Sequence, residues 1–129
     1  MTEKQKIVNF SDLEVYKRSY DASISVIKFI VPKLPDTEKY DLKDQLSRSS
    51  KAIPRLIAEG FAKKFQKKGF QKYLFDAMGE SNETQVSLSQ SKDLYNSDVD
   101  EQKCIDLIKE YEIIGKQLFR LKEAWDKFS

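Results

Sequence analysis

The sequence predicts an all-α protein, an antiparallel up-down-up-down four-helix bundle. Apolar residues recur at spacings of three and four along four separate stretches, which is the period of one helical face. The 129 residues include only 4 Gly and 3 Pro, and no stretch of useful length alternates apolar and polar residues as a strand does. We therefore predict one domain over residues 1–129, with helices at about 11–31, 41–62, 67–95 and 98–127.

The first helix is marked by Ser11–Glu14, whose sequence fits a capping box in which the serine caps and the glutamate reaches back. Phe10 and Val15 stand where a hydrophobic staple would form. Pro32 is expected to end the helix near residue 31. The face predicted to enter the core consists of Leu13, Tyr16, Tyr20, Ile24, Ile27 and Val31.

The second helix is predicted to start at Asp41, whose side chain can cap. Its apolar stripe keeps its phase across Pro54, so we expect one kinked helix, and two short helices are the alternative. Ser49 and Ser50 are expected to hydrogen-bond the carbonyls that the proline frees. Gly60 is predicted to end or bend the helix.

The third and fourth helices carry the most regular stripes. The seam of the third consists of Phe70, Leu74, Ala77, Ser81, Thr84, Leu88, Ser91 and Tyr95. Its small central residues let another helix approach closely. Residues 96–98 are predicted to supply caps for the fourth helix. The fourth seam consists of Cys104, Ile108, Tyr111, Gly115, Leu118, Leu121 and Trp125, and Trp125 is expected to close the bundle end together with Phe128.

Apolar residues outside these stripes have two explanations. Either the core takes a wide stripe that buries about half of them, or they form a second apolar surface used for self-association. They are Val15, Phe29, Ile30, Phe61, Phe65, Phe75, Ile113, Ile114 and Phe119.

Composition excludes several chemistries. The chain has no His and one Cys, so it lacks the usual general base and the commonest transition-metal ligand, and we predict no metal, no cofactor and no enzyme activity. Glu80 and Glu83 are expected to pair with basic residues of this bundle or of a neighbouring subunit. The lone Cys104 and the absence of an apolar signal region in residues 1–10 predict a cytoplasmic protein. No apolar run approaches the roughly 20 residues of a membrane span.

A net charge of +2 hides an uneven distribution. Residues 43–72 carry nine basic and two acidic groups, a net +7, whereas residues 73–112 carry three basic and ten acidic groups, a net −7. Glu59 is one of the two acids in the basic segment, and we expect it to anchor a neighbouring helix or the basic corner.

The strongest candidate for a binding site is this basic segment, at the corner between helices two and three. The residues predicted to bind nucleic acid are Arg48, Lys51, Arg55, Lys63, Lys64, Lys67, Lys68 and Lys72. The aromatic residues interleaved with the lysines are Phe61, Phe65, Phe70 and Tyr73. Lysines contact phosphates and exposed rings can stack on unpaired bases, so the pattern favours RNA or DNA binding. A solvated face kept soluble by its charge, or a scaffold for an acidic protein partner, is the alternative.

Ordered motifs between about residues 10 and 95 resemble those of a known family. They are Phe10-x-x-Leu13-Glu14-Val15-Tyr16, Tyr40-x-Leu42-x-x-Gln45-Leu46, Ile53-Pro54-x-x-Ile57-Ala58-Glu59-Gly60-Phe61, Ala77-x-Gly79 with Glu83, and Lys92-Asp93-Leu94-Tyr95. In these the chain resembles the bacterial four-helix bundle proteins of the 23S rRNA-intervening-sequence protein family. That family also includes the accessory variability determinants of diversity-generating retroelements.

The resemblance implies a bundle that assembles into a ring-like homo-oligomer, typically a pentamer, with a basic surface and no catalytic activity. It also implies binding to nucleic acid, or to a nucleic-acid enzyme such as a reverse transcriptase. The chain departs from the family pattern at Ala52 and Leu56, where the family usually has Ser and Asn, and at Glu80, where Gly-Ser is usual. Because these departures remove polar groups of the motif, we assign function to the lysines instead.

Overall fold

The computed structural model describes residues 6–127, and in this range the chain folds into four α-helices without a strand. They are α1 (Glu14–Ser25), α2 (Leu42–Ala62), α3 (Gly69–Leu94) and α4 (Glu101–Asp126). α1 packs against α2 and α4, and α3 lies between α2 and α4. The prediction of an all-α, four-helix fold is confirmed.

Side-chain contacts give the direction of neighbouring helices. Thr84 Oγ1 donates to Ser49 Oγ at 2.8 Å, whereas Lys63 near the end of α2 meets Tyr73 near the start of α3. Residue numbers thus rise along one helix as they fall along the other, so α2 and α3 are antiparallel. The same holds for α3 and α4, in which Ser81 contacts Tyr111 and Phe70 contacts Trp125.

The predicted capping box at Ser11 is wrong. Asn9 caps a 3-10 turn at Phe10–Asp12, and the carboxylate of Asp12 accepts the backbone N–H groups of Asn9 and Val8 at 3.0 and 2.8 Å. These bonds lower the pKa of Asp12. The N–H of Leu13 then donates to the Phe10 carbonyl at 3.1 Å, so the chain enters α1, which begins at Glu14, through this 3-10 turn and not through a Ser11 cap.

The face that α1 buries also differs from the prediction. Tyr20 and Ile24 are 48% and 39% exposed, and Tyr16 and Ile27 are only partly buried. The stripe that enters the core is made of smaller residues: Val15, Ser19, Ala22, Ser23, Val26 and Ile30. The two serine hydroxyls donate to backbone carbonyls within the helix, so their burial leaves no unpaired donor. Small side chains let α1 approach the bundle closely, and that advantage outweighs the greater apolarity of the aromatic stripe.

Helical backbone continues past α1 as a π turn at Val26–Ile30 and a 3-10 turn at Val31–Lys33. A further 3-10 turn at Asp36–Glu38 precedes α2. Pro32 lies inside the first of these 3-10 turns, so α1 itself ends at Ser25 and the helical backbone ends at Lys33, before and after the predicted end near residue 31.

α2 runs through Pro54 as one helix, so the alternative of two short helices is wrong. The roles expected for the two serines are also wrong. Ser50 Oγ donates to the carbonyl of Leu46 at 2.6 Å, one turn before the carbonyl that the proline frees. Ser49 Oγ accepts its hydrogen bond from Thr84 of α3.

Neighbouring residues replace the predicted caps of α2 and α4. Asp41 makes no side-chain cap, and the Leu42 N–H donates instead to Glu38 Oε1 at 3.2 Å. At α4 the cap is Asp100, whose Oδ1 accepts the backbone N–H three residues later at 3.0 Å, and not a residue of segment 96–98.

The core confirms the seam of α3, in which every predicted residue is buried except Tyr95, which is partly buried. In α4 the buried residues are Cys104, Leu107, Tyr111, Ile114 and Leu118. Ile114, expected outside the seam, thus belongs to the core, and Gly115 and Ile108 lie at its edge.

The residues outside the predicted stripes divide almost evenly. The buried ones are Val15, Ile30, Phe61 and Ile114, and the exposed ones are Phe29, Phe65, Phe75, Ile113 and Phe119. A wide core stripe therefore accounts for the first group, as one explanation predicted. Phe128, expected to close the bundle end with Trp125, lies outside the described residues.

Candidate nucleic-acid interface

The loop of residues 63–68 joins α2 to α3 and is called the corner loop below. Two successive backbone turns shape it: the Gln66 N–H donates to the Lys63 carbonyl at 3.0 Å, and the Gly69 N–H donates to the Gln66 carbonyl at 2.9 Å. Lys68 then adopts a left-handed backbone with φ 54°. A Cβ at Gly69 would lie 2.3 Å from the Lys63 carbonyl oxygen, so this return of the chain requires glycine.

α4 supports the corner loop from the other side of the bundle end. Trp125 Nε1 donates to the Lys64 carbonyl at 3.3 Å. The ring of Phe70 packs edge-on against Trp125, with centroids 5.0 Å apart, and a second edge contact at 5.8 Å joins Phe70 to Phe61. The three rings form an apolar base under the loop.

The junction of α2 with α3 is close-packed at Gly60. The prediction that Gly60 ends or bends α2 is wrong, because the helix continues to Ala62. A Cβ at Gly60 would lie 2.6 Å from Tyr73 Cβ, so the glycine permits the close approach of the two helices. The predicted anchoring role of Glu59 is confirmed, because its Oε1 accepts from Tyr73 OH at 3.3 Å and lies 3.8 Å from Lys63 Nζ.

Lys63 and Lys64 are partly engaged by these contacts. Lys63 Nζ donates to Tyr73 OH, and this bond raises the pKa of the lysine. Lys64 Nζ lies 4.0 Å from the centroid of the Phe61 ring and 4.7 Å from that of Phe65. The fold therefore holds the positions of both ammonium groups, the first by a hydrogen bond and the second by cation–π contacts.

The remaining lysines of the corner are open to solvent. Lys67, Lys68 and Lys72 are exposed, and none of their side chains forms a hydrogen bond or an ion pair with a residue in the described range. Lys68 acts at longer range on Asp126, where it contributes to a lowered pKa after the stronger effects of Lys122 and Gln71. Three cations are thus presented together where α3 begins.

The interleaved aromatic residues separate into two kinds. Phe61 and Phe70 are buried in the core, and Tyr73 is half-buried against Gly60 and Lys63. Phe65 alone among the four is exposed, at 91%. The predicted seam of the third helix already assigned Phe70 to the core, but the spacing of rings and lysines did not distinguish Phe61, Phe65 and Tyr73 from one another.

The other predicted basic residues lie on the exposed side of α2, away from the corner loop. Arg48 Nε is paired with Asp44 Oδ2 at 2.9 Å. Lys51 and Arg55 border a groove between α1 and α2 with a volume of about 340 Å³. Eight residues of helix separate Arg55 from Lys63, roughly 12 Å along the axis. The predicted site is therefore two basic regions rather than one.

The walls of this groove, called the α1–α2 groove below, are apolar. They come from Phe10, Tyr16, Tyr20, Ile24, Ile27, Pro54 and Ala58. Most belong to the stripe of α1 expected in the core, so their exposure was missed by the sequence prediction. The signal that could have shown it is the second stripe of small residues at Ser19, Ala22 and Ser23, which permits closer packing.

A second groove lies between α3 and α4, with a volume of about 540 Å³. Its lining is mixed: Met78, Asn82, Gln85, Glu112, Gly115, Lys116, Phe119, Arg120 and Glu123. Glu80 and Glu83 of α3 form no ion pair in contact within the described range, but the charge of Arg48 acts on Glu80 at longer range; pairing with a neighbouring subunit stays a prediction. Burial, followed by the charge of Glu83, raises the pKa of Glu80.

The described residues offer few groups for metal binding or thiol chemistry. No group of three His, Cys, Asp or Glu side chains in residues 6–127 is placed to hold a metal ion. Burial raises the pKa of the Cys104 thiol to about 11, so the thiol is protonated at neutral pH. Over the same range, every helix is too short or too polar to span a bilayer.

Fold and surface together define a small helical bundle that presents cations on a braced loop at one end. The family model described as 23S rRNA-intervening sequence protein matches residues 11–120. The chain belongs to this family, as its ordered motifs predicted. A comparison with curated proteins finds no match.

Proposed function

We propose that this protein is a non-enzymatic, oligomeric nucleic-acid-binding protein that contacts RNA or DNA mainly at phosphates, through the corner loop. The observation that carries the proposal is the exposure of Lys67, Lys68 and Lys72, whose side chains form no ion pair within the described range. These lysines do not have to break an ion pair within the protein when they bind a phosphate. The release of counterions from the nucleic acid then favours association.

The bracing of the loop supports the same proposal. Its backbone is held by two turns and by the Trp125 hydrogen bond to the Lys64 carbonyl. A loop that is already ordered loses little conformational entropy on binding, so more of the electrostatic attraction remains as affinity. The regular surface of α2 at Arg48 supports it less, because that guanidinium is already paired with Asp44.

We further propose that the protein acts as a homo-oligomer in the cytoplasm, five copies being the number that the family resemblance implies. The α1–α2 groove, with apolar walls, and the groove between α3 and α4, with a mixed lining, are two different surfaces on one chain. Contact between one groove and the other groove of the next copy would be heterologous, and such contacts close into rings when the rotation permits. A ring repeats the corner loop in every copy, so avidity would strengthen a weak contact.

The alternative function is a scaffold, or an accessory subunit of a nucleic-acid enzyme such as a reverse transcriptase. In that case the corner lysines would contact an acidic protein surface. Direct binding to an oligonucleotide separates the two functions, because the alternative requires no affinity for free nucleic acid.

The experiment is a salt titration of binding to a fluorescent oligonucleotide. Each phosphate contact contributes about 0.7 for single strands, or 0.9 for duplex, to the slope of log affinity against log salt. The triple variant Lys67→Gln, Lys68→Gln, Lys72→Gln should reduce that slope by about two units. A control triple variant, Lys28→Gln, Lys33→Gln, Lys109→Gln, removes the same charge from exposed sites elsewhere and should leave the slope nearly unchanged.

Equal slopes for the wild type and the corner variant would contradict the proposal. An equal reduction in the control variant would show that net charge, and not the corner loop, is responsible. A wild type that binds no oligonucleotide at any salt concentration would favour the scaffold.

A further inference from the structure

The corner loop holds one aromatic ring in solvent. Phe65 is 91% exposed, the highest value among the large apolar side chains of the described residues. Its neighbours in sequence are Lys64, Gln66 and Lys67, so the ring stands inside the cationic segment. The fold gains no burial from a phenylalanine at this place, which distinguishes it from Phe61 and Phe70 in the core below.

The exposure of Phe65 does not arise from a loose loop. The residue before it is bonded through its carbonyl to Trp125, and the residue after it donates its N–H to the carbonyl of Lys63. The backbone on each side of the ring is therefore fixed. Lys64 Nζ lies 4.7 Å from the ring centroid and can cover only one face, which leaves the other face for a planar ligand.

Other exposed rings of the chain are placed differently. Phe29 and Phe75 each lie beneath a lysine, with Lys103 at 4.1 Å and Lys122 at 4.9 Å from the ring centroids. Both belong to regular helical segments, and each is about half exposed.

Tyr40 is also exposed, at 86%, in the turn before α2, with Lys39 Nζ 5.3 Å from its ring centroid, but Glu38 and Asp41 flank it in the sequence. Phe65 differs in that its loop, residues 63–68, carries four lysines and no acidic residue.

We infer that Phe65 is a stacking platform for an unpaired base, so that the corner loop binds single strands in preference to duplexes. This inference rests on the proposed function and adds the class of nucleic acid. Every base has a planar face, so stacking on Phe65 tolerates any sequence, while Lys64, Lys67 and Lys68 can reach the flanking phosphates. In a duplex the bases are already stacked and paired, and the ring has no free base face to contact.

The test compares one labelled single strand of about 12 nucleotides, within the site sizes typical of such proteins, with the blunt duplex of the same sequence. Phe65→Ala should lower affinity for the single strand by about 5- to 150-fold and leave duplex affinity unchanged. Phe65→Leu keeps an apolar side chain without a ring and should lose as much. Phe65→Trp should retain affinity for the single strand, and the fluorescence of its new indole should be quenched on binding. The wild type, whose fluorescence comes from Trp125 alone, is the control for that measurement.

All three variants should unfold at the wild-type temperature, because the side chain contributes little to the core. The corner lysine variant should weaken binding to strand and duplex alike, which separates the phosphate contacts from stacking. Unchanged single-strand affinity in Phe65→Ala, or an equal loss on both substrates, would overturn the stacking inference and leave the proposed function standing. Failure of the wild type to bind either substrate would overturn both. Phe65-dependent binding to anionic phospholipid vesicles, without binding to single strands, would assign the ring to a membrane surface instead.

Discussion

The corner loop and the α1–α2 groove both border α2, yet they use apolar residues in opposite ways. Beneath the loop, Phe61 and Phe70 point into the core and Gly60 brings two helices into contact, so a rigid base supports exposed cations. In the groove, Tyr20 and Ile24 face outward while α1 buries small residues. One region is closed by contacts within the chain, whereas the other leaves apolar area for a second molecule. The two basic regions predicted as one site therefore lie in different surroundings, one on a braced loop and one beside an apolar groove.

The largest expected effect is on stability and comes from a side chain added at Gly60, where α2 and α3 are in close contact. In Gly60→Val the new side chain meets the backbone-attached Cβ of Tyr73, which cannot rotate away, so we expect the free energy of unfolding to fall by about 2 kcal/mol or more. Gly79→Ala is the matched control in α3. No atom lies within 4 Å of its new Cβ, so this substitution should stabilise the protein by about 0.5–1 kcal/mol.

Urea unfolding, followed by circular dichroism, measures both variants. A Gly60→Val protein as stable as the wild type would show that the junction can separate without cost, and the bracing assigned to the corner loop would then be wrong.

The next effect concerns the open groove and the proposed oligomer. Ile24→Glu places a charge on the apolar wall and should raise the dissociation constant of self-association more than about tenfold, the effect of losing a central interface residue. Because Ile24 is 39% exposed, the unfolding free energy of the monomer should change little. Sedimentation velocity over a range of protein concentrations gives the mass of the assembly and its dissociation constant.

Leu94→Glu is the control for that variant, since Leu94 is 64% exposed at the end of α3 and lines neither groove. It should assemble like the wild type. A wild type that is monomeric at micromolar concentration would contradict self-association altogether. If Ile24→Glu assembles as the wild type does, the interface lies outside the α1–α2 groove.

The smallest effect should come from the acid beside the corner loop. Glu59→Gln removes a negative charge 3.8 Å from Lys63 and keeps an oxygen that can accept from Tyr73 OH. Affinity for an oligonucleotide should rise by about two- to fivefold at low salt, which corresponds to about 1 kcal/mol or less for one nearby charge in water. Glu83→Gln, an exposed acid further along α3, should change affinity less. Equal gains in the two variants would indicate a response to net charge and not to the corner.

Sequence reasoning succeeded where a single stripe of residues was compatible with the core. In α3 the heptad seam from Phe70 to Ser91 is buried throughout, because polar residues flank it and no second stripe competes. It also located the lysines of the corner and the family motifs. It was wrong where two stripes compete, as in α1, since apolarity alone does not measure how closely a helix can approach its neighbours.

Caps were predicted least well. Asn9, Glu38 and Asp100 hold the positions expected for Ser11, Asp41 and segment 96–98. Several residues near each helix start can donate or accept, and small differences in backbone angle select among them.

The sequence by itself determined the four-helix class, the family and the concentration of positive charge between residues 43 and 72, because these depend on the order and period of residues. Only the tertiary structure decided which rings and cations are free. Phe61 and Phe65 are both aromatic residues beside lysines and outside the predicted stripes, yet packing against Phe70 of α3 buries Phe61 and the loop holds Phe65 in solvent. Exposure is a property of neighbours from α3 and α4, which are distant in sequence, so no local pattern specifies it.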